Sequence, residues 1–67
     1  MRVRTARSEL RPAALAMVRA KLASDPEPFL AEAVAKWLMA SHGWETGEAY
    51  LWAHQLITEV KKERRAA

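Results

Sequence analysis

Residues 24–43 read Ser24-Asp25-Pro26-Glu27-Pro28-Phe29-Leu30-Ala31-Glu32-Ala33-Val34-Ala35-Lys36-Trp37-Leu38-Met39-Ala40-Ser41-His42-Gly43. Every signal of a helix is present in this stretch. Asp25 can cap the helix start, Pro26 suits the first helical position, and Glu27 complements the positive end of the helix dipole. Leu30, Ala33, Val34, Trp37, Leu38 and Ser41 then recur at helical spacing and define a core face with Trp37 at its centre. Glu32 and Lys36 form an i,i+4 pair on the other side. Gly43 supplies the stop.

The flanking segments repeat the pattern. Upstream, Ser8 is a candidate cap, with Glu9 in the first turn, and the helix runs to about Ser24. Pro12 is tolerated only near a helix start, so the first turn is expected a few residues further on. Leu15, Val18 and Leu22 form the stripe, with Ala14 beside it and Leu10 and Met17 on its shoulder. Ala13, Ala16, Ala20 and Ala23 line the opposite side, where alanine either admits a helix at close range or serves only as a good helix former. Downstream, Thr46 opens a third helix that reaches about Arg65. Its core stripe is Ala49, Ala53, Leu56, Ile57 and Val60, with Tyr50 and Trp52 on its two flanks.

These segments predict an all-α chain, a compact three-helix bundle with helices at about 8–24, 26–42 and 46–65. A short basic N-terminal arm (1–7) precedes the single domain (8–65), and 66–67 form a tail. With 67 residues there is one domain at most. A fold of about this size buries only about 60% of its unfolded surface. Without cysteine, disulfides and cysteine-zinc sites are excluded, which leaves a well-packed core, a partner or self-association. At 51% apolar residues, a packed core rather than disorder is expected. No apolar run reaches the roughly 20 residues of a membrane span, and none resembles the core of a signal peptide. A cytoplasmic protein is the expectation.

Charge is sorted into blocks. Residues 1–24 carry Arg2, Arg4, Arg7, Arg11, Arg19 and Lys21 against Glu9; residues 25–60 carry six acids against Lys36; residues 61–67 carry Lys61, Lys62, Arg64 and Arg65 against Glu63. The blocks hold +5, −5 and +3, in keeping with a net charge of +3. Helix one lying against acidic helix two would neutralise part of this pattern. The cations at the end of helix three also suit the negative end of its dipole.

Catalytic constellations are missing. His42 and His54 have no metal-ligand spacing, and His42 with Glu45 and Glu48 is the best cluster available. Ser8, Ser24 and Thr46 read as helix-boundary residues. There is no nucleophile elbow and no glycine-rich phosphate loop. The reading is therefore non-enzymatic, with no cofactor and no metal.

Two roles follow. The first is a small regulatory or inhibitory protein that binds another protein, with a homodimer as one version. Met39 and Leu51 fall on faces that should be polar, Trp52 sits on the shoulder of its stripe, and Trp44 lies in the turn, where it can fold back as a lid. If Met39, Trp44, Leu51 and Trp52 reach the surface, they form a docking patch; otherwise they are core filler. The second role is nucleic-acid binding through Arg2, Arg4, Arg7, Lys61, Lys62, Arg64 and Arg65. Arg2-Val3-Arg4-Thr5-Ala6-Arg7 alternates like a short strand. A basic strand followed by two helices resembles the layout of ribbon–helix–helix repressors over residues 2–42. That resemblance implies paired strands in the DNA major groove. The chain departs from it at Ser24-Asp25-Pro26-Glu27-Pro28, where a glycine-containing loop is expected. A helix-turn-helix built from segments two and three would open its recognition helix with Glu45 and Glu48, which repel phosphate. Contact with a membrane surface is not expected, because the basic cluster lies at a helix end rather than along a face.

Overall fold

A computed structural model of the chain describes residues 4–66. Three helices, α1 (Arg7–Lys21), α2 (Glu27–His42) and α3 (Thr46–Ala66), pack on one another, and no strand is present among the described residues. The three-helix architecture read from the sequence is therefore the one observed.

The helix ends differ from expectation in instructive ways. α1 begins ahead of Pro12, not after it. Its first turn is held because Leu10 is buried and Arg7 reaches the rings of Trp44 and Trp52. The Ser8 and Asp25 side chains do not cap: the N-cap positions belong to Ala6 and Pro26, neither of which makes a side-chain cap bond. α1 stops at Lys21, three residues short of Ser24, where the amides of Ser24 and Asp25 fold back onto the Lys21 carbonyl. Pro26 enforces this exit, since a residue before proline is pushed away from helical geometry. Pro28, in the first turn of α2, lacks only an N–H that would have had no partner there.

Ion pairs define the helix directions. Lys61 near the end of α3 meets Glu27 at the start of α2 at 3.0 Å, so these two helices run antiparallel along their length. Arg11 bonds Glu59, and Arg19 bonds Glu63 at 2.7 Å, so α1 and α3 run parallel. The topology is up, down, up. An α2–α3 hairpin with its far ends in contact is not the splayed pair of a helix-turn-helix, whose helices cross at roughly 90–120°.

The core gathers Leu10, Ala14, Leu15 and Val18 from α1, Leu30, Val34 and Leu38 from α2, and Leu56, Ile57 and Val60 from α3. Ala31 and Ala35 are buried, whereas the expected Ala33 and Ser41 are exposed. α2 must touch two neighbours, so its buried sector is rotated and widened from that of a single stripe. Trp37 consequently lies at the edge of the core, half-buried, with its ring edge-on to His42 at 4.8 Å. On α1, Ala13, Ala16 and Ala20 face solvent, as does Ala23 in the turn that follows, and no helix of the chain uses them. The described residues contain no buried polar or charged residue and no buried side-chain polar atom lacking a partner.

Candidate docking surfaces

The α2–α3 turn is closed by the N-terminal segment. Gly43 adopts the left-handed conformation (φ 70°, ψ 22°) and turns the chain so that Trp44 folds back inward. Trp44 stacks on Trp52, with ring centroids 5.0 Å apart and planes 15° from parallel. Both rings are buried, at 4% and 5% exposure. Thr5 lies across this corner. Its amide donates to the His42 carbonyl at 3.0 Å, its hydroxyl lies 3.0 Å from His42 Nδ1, and its carbonyl accepts from Trp44 Nε1 at 3.0 Å. Arg4 covers the outer face of Trp44, 4.1 Å from the ring centroid, and pairs with Glu48 at 2.5 Å. Arg7 adds a second contact to Glu48 at 3.8 Å.

This geometry changes the reading of the arm. Residues 4–6 are an extended lead into α1, pinned to the turn, and they form no strand. Arg4 and Arg7 are spent on Trp44, Trp52 and Glu48. Arg2 lies outside the described residues.

The charge blocks also close on themselves, though not between helices one and two. Arg4, Arg7, Arg11 and Arg19 meet Glu48, Glu59 and Glu63, so the partner of the basic segment is the acidic flank of α3. The hydrogen bond from Arg19 holds the Glu63 carboxyl below the usual carboxylate range and raises the guanidinium in turn. Of the four C-terminal cations, Lys61 is bound to Glu27. Arg64 donates to the Arg19 carbonyl at 3.3 Å, satisfying an acceptor in the last turn of α1. Lys62 and Arg65 have no ion-pair partner among the described residues, and neither does Lys21.

The four residues expected to form an apolar patch do not share one exposed surface. Trp44 and Trp52 are core, because stacking and the Thr5–Arg4 cover remove them from solvent. Met39 is half-buried against the core. Leu51 alone is open, 57% exposed at one end of a shallow groove of about 440 Å³ lined by His54, Gln55, Thr58, Glu59 and Lys62. That groove follows the outer side of α3 only.

A second exposed apolar side chain lies on α2. Phe29 is 67% exposed, the most open large apolar residue among those described. Ala33 and Ala40, four and eleven positions on, are exposed on the same face, and half-buried Trp37 borders it. Lys36, seven positions after Phe29 and four before Ala40, interrupts this row, and Glu32 lies on its other border, paired with Lys36 at 2.8 Å. The Glu32 carboxylate raises the lysine above its ordinary value. Sequence reading passed over Phe29 because it follows the Pro26-Glu27-Pro28 start and precedes the core residue Leu30. The available signal was that α2 is apolar nearly all round, and such a helix is normally covered on every side.

Among the described residues, no three His, Asp or Glu side chains are grouped to hold a metal ion, and no helix is long and apolar enough to cross a membrane. No protein-family model, curated protein or solved structure matches the chain.

Proposed function

We propose that this protein is a small non-enzymatic docking module that binds another protein through the outer face of α2. The observation that carries the reading is Phe29: a large aromatic side chain, two-thirds exposed, on a helix whose core face is already filled. Aromatic anchors of this kind dominate the energetics of protein interfaces, and a rim of paired charge beside them excludes water. Such a module acts by occupying a partner's surface, as a regulator or inhibitor does. The nucleic-acid reading has less support. Arg4 and Arg7 are engaged within the fold, and the uncommitted cations Lys21, Lys62 and Arg65 are placed where two helix C-termini attract positive charge.

The test is affinity capture with three forms of the chain. Wild type and Leu51→Glu are expected to retain a partner, and Phe29→Glu to lose it, with all three equally helical by circular dichroism. Loss in Leu51→Glu and retention in Phe29→Glu would transfer the docking surface to α3.

A further inference from the structure

We infer that the α2 face binds a second copy of this chain, with the two α2 helices antiparallel about a two-fold axis at the level of Val34. The inference rests on the α2 docking reading and names its partner. Three features of the face support it.

The first is a match of large to small. Phe29 stands at one end of the exposed stripe and Ala40 at the other. Reversing a second α2 on the first sets each Phe29 against Ala40 of the second copy, a knob over a shallow site at both ends. Ala33 lies close to the crossing point, where a small side chain lets two helices approach.

The second is charge. An antiparallel two-fold pairing brings each flank of a helix against the same flank of its copy, reversed. The Glu32–Lys36 flank therefore meets itself with Glu32 opposite Lys36 of the second copy, and Lys36 opposite its Glu32. Both side chains are substantially exposed and able to share these contacts. A parallel pairing would set Phe29 against Phe29 and turn the Glu32–Lys36 flank toward the opposite, Trp37 side of the copy, so both the large-to-small match and the charge match would be lost.

The third is that these matches are centred together. The midpoint between Phe29 and Ala40 falls between Val34 and Ala35, and the midpoint between Glu32 and Lys36 falls at Val34. One two-fold axis satisfies both, which is the property of a self-complementary surface. An unrelated partner would not require it.

A 16-residue helix offers less than the roughly 800 Å² per partner of a standard interface, so association is expected in the micromolar range and to depend on concentration. The test is sedimentation of the full chain from about 1 μM to about 1 mM, for wild type, Phe29→Glu, Glu32→Lys and the double exchange Glu32→Lys/Lys36→Glu. Each altered side chain is outside the core, and circular dichroism verifies the fold. Wild type is expected to move from monomer to dimer. Phe29→Glu and Glu32→Lys are each expected to weaken the dimer by about ten-fold or more, since the charge reversal is felt twice. The double exchange restores it. A wild-type chain that stays monomeric throughout overturns the inference, as does a dimer indifferent to Phe29→Glu and Glu32→Lys. A monomeric chain that still captures a different protein in a Phe29-dependent manner overturns the second-copy inference while sparing the docking face.

Discussion

Arg4 and Trp44 are separated by forty positions, yet the guanidinium of one lies 4.1 Å from the ring centroid of the other. The contact joins the first described residue to the turn between α2 and α3. Through it the basic N-terminal segment becomes part of the bundle, covering an indole that would otherwise face water. The neighbouring bond from Trp44 Nε1 to the Thr5 carbonyl fixes the ring beneath it.

Removing residues 1–6 is therefore expected to lower stability and expose Trp44. A red shift in tryptophan emission and a lower urea midpoint would record both effects. Trp44→Phe keeps much of the apolar area but loses the bond to Thr5, at a cost of about 1 kcal/mol. Trp44→Ala costs about 3–5 kcal/mol.

Two glycines should respond oppositely to alanine. Gly43 has positive φ, so Gly43→Ala costs about 1–2 kcal/mol. Gly47 lies in the first turn of α3, and a Cβ there meets nothing within 4 Å. Gly47→Ala should stabilise the helix by about 0.5–1 kcal/mol. Paired thermal melts test the contrast.

Leu38 is completely buried between the helices. Leu38→Ala is expected to cost about 2–5 kcal/mol, comparable with the whole stability of a domain this small, roughly 3–5 kcal/mol. Loss of the cooperative unfolding transition is the expected result.

The Arg19–Glu63 pair predicts a pH dependence of definite sign. Because Arg19 lowers the Glu63 carboxyl, its stabilising contribution is complete above the unfolded carboxylate value. It is lost as pH falls through the lower, folded one. Lys36, raised by Glu32, gives the converse: full stabilisation below the unfolded lysine value, lost as pH rises through the folded one. Side-chain NMR titration should show the Glu63 midpoint moving up in Arg19→Ala.

Among the described residues, any affinity for nucleic acid is expected to reside at Lys21, Lys62 and Arg65. Lys62→Ala/Arg65→Ala should then weaken low-salt binding to DNA. Arg4→Ala should instead reduce stability. The salt slope should correspond to about 0.9 per phosphate neutralised, or about three contacts from these described residues.

Much of this fold can be read in the chain. Pro26, Pro28 and Gly43 bracket α2, and the stripes of α1 and α3 mark their core faces, because these are local rules of helix ends and period. What the sequence does not contain is which flank meets which neighbour. Arg11 and Arg19 select α3 over α2 through packing direction. Trp52 and Leu51 are adjacent in sequence, yet one stacks under Trp44 and the other is open. That choice depends on how the turn at Gly43 returns Trp44 to the bundle. The same reasoning explains Phe29. Helical spacing marks a single stripe on α2, and its outer apolar face becomes evident only once the buried sector is located by both neighbours.

The most direct test of the α2 face is a series of two-dimensional amide NMR spectra recorded as the wild-type chain is concentrated. Shifts should grow at Phe29, Ala33, Lys36 and Ala40, while Leu51, Thr58 and Lys62 on the outer side of α3 stay fixed. Spectra unchanged with concentration, or shifts confined to the Leu51 groove, would contradict docking of a second copy on α2.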